Sequence, residues 1–206
     1  GRFSSNVNFG NSKTASSSSA DIFIAEYNSS GQCQWVQAAG GSSADFGNGI
    51  AVDDSGNVYV TGYFSGSNAD FGNNQTASSS GAYDIFIAEY DGRGNCQWVQ
   101  AAGGPSGDYG YGIAVDGSGN VYVTGYFQGS NIAFGNSQTA SSSGGEDIFI
   151  AEYDGSGNCQ WVQAAGGSSG DVGNGIAVDG SGNVYVTGRF RGSNIAFGNG
   201  QTASSG

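Results

Sequence analysis

The sequence predicts an all-β protein: tandem propeller-blade-like repeats of four antiparallel strands, in about three units of 63 residues. Three observations predict it. The heptapeptide Asp-Ile-Phe-Ile-Ala-Glu-Tyr occurs at Asp21–Tyr27, Asp84–Tyr90 and Asp147–Tyr153. Cys33, Cys96 and Cys159 keep the same spacing, as do Trp35, Trp98 and Trp161. Between these landmarks, apolar runs of four to eight residues alternate with Gly/Asn/Asp turns, the pattern of short antiparallel strands. A long fixed period marks a repeat architecture.

The unit at 84–146 serves as reference. Asp84–Asp91 reads as a strand with side chains alternating between faces, and Gly92-Arg-Gly-Asn95 as a turn. Cys96–Ala101 is the next strand, with Cys96 and Trp98 on one face. Gly112-Ile-Ala-Val-Asp116 is a short apolar strand. Gly117-Ser-Gly-Asn120 is a tight hairpin turn, and Val121–Thr124 with Tyr126-Phe127 is the returning strand. The remainder, 128–146, reads as a long loop with a short edge strand at Ile132-Ala-Phe-Gly135 and a polar Thr-Ala-Ser-Ser-Ser tract. Four strands in about 60 residues is the content of one propeller blade. The chain divides into a partial repeat at 1–20, repeat 1 at 21–83, repeat 2 at 84–146 and a truncated repeat 3 at 147–206. Residues 84–142 and 147–205 differ at only seven aligned positions, among them Tyr109/Val172, Tyr111/Asn174 and Tyr126/Arg189.

Asp116-Gly-Ser-Gly-Asn-Val-Tyr-Val-Thr-Gly125 resembles the signature of the bacterial SBBP repeats, named for seven-bladed β-propellers. The segments at 52–62 and 178–188 match it too. The partner stretches Asp84–Tyr90 and Asn95–Gly104 look like the family's second half. The resemblance covers nearly the whole chain. It implies a blade running from an Ile113-type inner strand to a Trp98-type outer strand, in proteins that are mostly extracellular and without an established activity. Three units fall short of the 4–8 blades that usually close a propeller. The opening Gly1-Arg2-Phe3 matches Gly188-Arg189-Phe190, and both ends fall in mid-repeat. The expectation is a processed product or a segment of a longer array, whose ends associate into a ring or a non-closing filament.

Composition narrows the function. The net charge is −12, with 5 Lys plus Arg and no His. A nucleic-acid partner needs a basic surface, and an anionic membrane surface repels this charge. No apolar run reaches the ~18–20 residues of a membrane span. Without His there is no Ser-His-Asp triad and no His-bearing metal site. Glu89 and Asp91 are close in sequence, as glycosidase carboxylates can be, but the pair recurs at Glu152 and Asp154. The three Cys, one per unit, read as small buried hydrophobes rather than a disulfide framework, with inter-chain bridges as the alternative.

Each candidate site carries a structural alternative. Asp53–Asn57, Asp116–Asn120 and Asp179–Asn183 superficially resemble calcium loops but lack the closing acidic ligands, so a hairpin turn is the better reading. Asp45, Asp108 and Asp171 either cap backbone amides or contribute to a hard-cation site. The tryptophans read as packing residues. Tyr63, Tyr109, Tyr111 and Tyr126 are the candidates for a ligand-facing rim, with sugars as the ligand class. Asn28-Ser-Ser30 and Asn74-Gln-Thr76 fit the N-glycosylation pattern. No cofactor is expected. The expectation is a non-catalytic extracellular or cell-surface structural protein that self-associates through its repeat ends. The alternative is a multivalent carbohydrate-binding propeller, whose weak sites repetition multiplies into avidity.

Overall fold

The computed structural model describes residues 1–205. In chain order its strands are β1 (Arg2–Ser4), β2 (Val7–Gly10), β3 (Lys13–Ala15), β4 (Ala20–Tyr27), β5 (Cys33–Ala39), β6 (Phe46–Val52) and β7 (Val58–Phe64). There follow β8 (Ala69–Asp70), β9 (Thr76–Ala77), β10 (Asp84–Tyr90), β11 (Cys96–Ala102), β12 (Tyr109–Val115), β13 (Val121–Phe127), β14 (Ile132–Gly135) and β15 (Gln138–Ala140). The last are β16 (Asp147–Tyr153), β17 (Cys159–Ala165), β18 (Val172–Val178), β19 (Val184–Arg189), β20 (Ile195–Ala196) and β21 (Thr202–Ala203). Among the described residues no helix is long and apolar enough to cross a membrane.

Two four-stranded antiparallel sheets are complete, β6-β7-β10-β11 and β12-β13-β16-β17. Each draws its first two strands from the end of one sequence period and its last two from the start of the next. The blade and the period therefore share a length but not a phase. The flanking sheets are partial. At the N-terminal side β1-β4-β5 forms three strands, and at the C-terminal side β18-β19 forms two. The inner strands β6, β12 and β18 pack in sequence, so neighbouring blades meet face to face along their first strands.

Local chemistry fixes these elements. In each β-hairpin between first and second strands, an aspartate holds the turn. Asp116 Oδ1 accepts the amide N–H groups of Ser118 (2.8 Å) and Asn120 (2.9 Å), and Asn120 Nδ2 donates to Oδ2 at 2.9 Å. This is an Asx turn closing a hairpin. At Gly119 φ is +84°, a conformation that glycine adopts without steric penalty. The second and third strands pair in full register, from Val121 opposite Tyr153 to Phe127 opposite Asp147. The Thr124 hydroxyl donates to the Phe149 carbonyl at 2.7 Å across that seam.

The segment read as a loop with one short edge strand is a hairpin, β14-β15, tied to the outer strand by a bridge between Gly103 and Ala133. Hydrophobic burial is what orders it: Ile132 and Phe134 are buried, and fully burying such side chains contributes roughly 1.5–3 kcal/mol each. The core comprises two clusters. One centres on Phe64, Phe71 and Phe86, the other on Phe127, Phe134 and Phe149.

Candidate functional site

The rim tyrosines come together. Tyr63 and Tyr109 have ring centroids 4.5 Å apart, Tyr109 and Tyr126 4.7 Å, and Tyr111 and Tyr126 5.9 Å. Phe46 stacks on Tyr63 at 4.5 Å, Tyr83 meets Tyr63 edge-on at 5.3 Å, and the Arg2 guanidinium covers Phe46 at 4.4 Å. These six aromatic rings form one continuous half-buried row rather than a site in each repeat. Burial, reinforced by the neighbouring phenols, pushes the Tyr63 and Tyr109 hydroxyl pKa values up. In the last unit Val172, Asn174 and Arg189 stand at the equivalent positions, and the row stops. Sequence reasoning missed Phe46 and Tyr83, which lie outside the strictly repeated letters.

The tryptophans join blades. The Trp98 indole N–H donates to Glu89 Oε2 (2.6 Å) within its own blade and to Gly155 O (3.2 Å) in the turn of the next. Trp35 donates to Gly92 O at 3.2 Å in the same way. Neither ring is a free stacking platform. Glu89 is thus held by Trp98, while Asp91 accepts the amides of Arg93 and Asn95 at 2.9 Å. Each carboxylate of that pair has a structural partner. Asn28 is a turn residue whose Oδ1 accepts two amides and whose Nδ2 donates to Gln32 Oε1 at 3.0 Å. Asn74 is exposed in the β8-β9 turn with φ +60°. Cys33, Cys96 and Cys159 are free and buried.

The most distinctive surface is the half-blade β18-β19. In each complete blade the third strand lays a phenylalanine across a glycine of the second, Phe86 opposite Gly62 and Phe149 opposite Gly125. That ring closes an aromatic triad: Phe134 lies 5.6 Å from Phe127 and 5.2 Å from Phe149. Phe3, Phe9 and Phe23 repeat the arrangement at 6.1 and 5.1 Å. In the half-blade Phe190 and Phe197 meet at 5.7 Å, and beside them lies a cavity of about 250 Å³ bounded by Ile148, Ile150, Val186 and Gly188. Each of these residues has an equivalent 63 positions earlier, and Ile85, Ile87 and Val123 belong to the core that surrounds Phe149. The side chains on β19 are correspondingly bare. Tyr59 and Tyr122 are 2% and 4% exposed, whereas Tyr185 is 59% exposed. Val60, Val123 and Val186 run 3%, 0% and 36%. Recurrence of Phe71, Phe134 and Phe197 at the common period was the signal that could have found this triad in the sequence.

Family comparison agrees with this geometry. The profile of the β-propeller repeat family SBBP matches residues 34–72, 97–133 and 160–189, together more than half of the chain. The chain belongs to the SBBP β-propeller repeat family. Each matched SBBP segment starts on an outer strand and runs through the next inner strand, crossing from one blade into its neighbour. The chain is also similar to an uncharacterised WD repeat-containing protein of Acanthamoeba polyphaga mimivirus, 23% identical over 86% of this chain and 15% of that protein. It is similar to the regulatory protein FlaEY of Caulobacter vibrioides, 32% identical over 79% of this chain and 17% of that protein. The chain therefore spans about a sixth of the length of the curated relatives it matches.

Proposed function

We propose that this SBBP chain is a non-catalytic extracellular scaffold that associates with copies of itself by completing blades. The single observation that carries the reading is the half-blade β18-β19, whose open edge and cavity fit an Asp-Ile-Phe-Ile-Ala-Glu-Tyr strand. In a longer polypeptide a following repeat supplies that strand; between separate chains it is β4 of a second copy.

The exchange is chemically economical. In β4, Ile22 and Asp21 pair with Arg2 and Phe3, and the Phe23 amide donates to Gly1 O at 3.2 Å. Gly188-Arg189-Phe190 is the same tripeptide. If β19 of another copy displaced β1, those contacts would be remade by identical residues. Val184 to Thr187 would then add pairs along Ile24 to Tyr27, just as β13 pairs the whole of β16. A growing strand ladder that does not close on itself yields a filament. The acidic charge, the two N-glycosylation patterns and the Ser/Thr tracts support an extracellular setting.

Sedimentation velocity over a wide concentration range tests the reading. The expected result is concentration-dependent association that Val186→Lys abolishes, because Val186 is exposed in the free chain and its equivalents are buried in complete blades. A chain that stays monomeric throughout, or a Val186→Lys chain that associates equally, contradicts it. The aromatic row supports a second reading, one carbohydrate-binding strip rather than many. Glycan-array binding lost in Tyr109→Ala would favour it, and an array without signal would remove it.

A further inference from the structure

We propose that the second and third repeats each hold one hard cation, of the calcium class, in an oxygen nest that the first repeat fills with a serine hydroxyl. The nest lies where the third strand of a blade starts, and its argument is independent of self-association.

The second and third repeats each place two buried aspartates side by side there, Asp84 with Asp108 and Asp147 with Asp171; in the first repeat Asp45 is buried and Asp21 half-buried. A Cβ at Gly103 would stand 2.9 Å from Asp84 Oδ1 and 2.9 Å from Asp108 Oδ2, so the two carboxylates crowd the same glycine, which must lack a side chain there. Asp108 is held in place: Oδ2 accepts the Gly104 amide at 2.8 Å and Oδ1 the Gln128 amide at 2.9 Å. Asp84 Oδ2 accepts the Ser80 amide at 2.8 Å. Asp84 Oδ1 is buried without a hydrogen-bond partner, and so is Asp147 Oδ1. An orphaned buried carboxylate oxygen is costly, and twice in the same place it calls for a ligand.

The first repeat shows what the nest accepts. There Asp21 Oδ1 has a partner, the Ser19 hydroxyl at 2.6 Å. The same hydroxyl oxygen lies 3.0 Å from Gly41 O and 2.9 Å from Ser43 O. A hydroxyl has one hydrogen, so it satisfies one of three converging acceptors. One carboxylate and two main-chain carbonyls around a point are oxygen donors of the kind a hard cation takes, with water completing its shell. Counted back from the strand aspartate, the later repeats carry Ala82 and Gly145 at the position of Ser19, in a loop one residue longer, while the carbonyl bearers recur as Gly104 and Ser106, and as Gly167 and Ser169. Among the described residues no group of three or more acidic or Cys side chains gathers for a metal, so the carbonyls are essential to the set.

Calorimetric titration of the metal-free chain with calcium chloride tests the proposal, alongside thermal unfolding with and without the ion. The expected stoichiometry is two ions per chain. Ala82→Ser lowers it to one, and Ala82→Ser with Gly145→Ser removes it. Circular dichroism checks that both variants fold. Absence of calcium uptake and of any thermal stabilisation by calcium overturns the proposal, as does an unchanged stoichiometry in Ala82→Ser. In either case the nest holds water only.

Discussion

Phe149 lies directly across the ladder from Gly125, and its ring edge is 2.8 Å from where a Cβ on that glycine would stand. The same point is only 1.9 Å from the Tyr109 carbonyl oxygen. The ring and the missing side chain are therefore one feature: the glycine makes the slot and the phenylalanine fills it. Phe149→Ala is expected to cost about 3–5 kcal/mol through lost transfer energy and the cavity left behind. Gly125→Ala is expected to cost about 3 kcal/mol or more, because the added methyl meets main chain that cannot rotate away. Chemical denaturation of each variant checks both values, and neutral effects would mean the slot does not organise the blade.

The turn carboxylates set an acid response. The Asn95 side chain and amide hold the Asp91 carboxyl below its ordinary 3.8. A lowered folded pKa contributes stability above pH 3.8 that is lost as pH falls through the folded value. Asp91 is half-buried at the surface, and solvent screening keeps the contribution small. The expected observation is an Asn95 amide resonance that titrates with a midpoint below 3.8. Faster hydrogen exchange across the turn should accompany it, and Asp91→Ala should remove the titration.

The thiols should be silent in the folded chain. Burial pushes the Cys96 thiol up to about 12 and Cys159 up to about 11, and the thiolate is the reactive species. At pH 8 a thiol reagent is expected to label neither until denaturant is added, when all three cysteines react. Rapid labelling of native protein would show that the outer strands open readily.

Much of this fold was legible because the same letters recur. The period gave the unit length, alternation gave the strands, and Asp-Gly-Ser-Gly-Asn gave the hairpin turn, whose chemistry is local. The blade phase was not legible in the repeated letters themselves, because a repeat read from sequence has no marked beginning; the family resemblance implied an order from an Ile113-type to a Trp98-type strand, and the pairing of Val121–Phe127 with Asp147–Tyr153 sets it. The hairpin at 132–140 was half legible. Its order comes from burying Phe134 against Phe127 and Phe149, neighbours supplied by distant strands. The rim tyrosines were read as separate positions; the blade twist and spacing that align them in one row are tertiary. The nest at Asp84 was concealed for a different reason. Its key evidence is the difference between Ser19 and Ala82, outside the repeated motif, and the two carbonyls carry no side-chain signature.

Intermolecular cross-linking reports on blade completion most directly. By the register of the complete blades, Tyr122 opposite Glu152 and Tyr59 opposite Glu89, Tyr185 of one copy should face Glu26 of another. Both residues are exposed in the free chain. Chains carrying Tyr185→Cys and chains of different mass carrying Glu26→Cys are mixed under mild oxidation. The account predicts a disulfide-linked heterodimer in high yield, and little when Ala25→Cys replaces Glu26→Cys. No heterodimer, or equal yields from both positions, would contradict it.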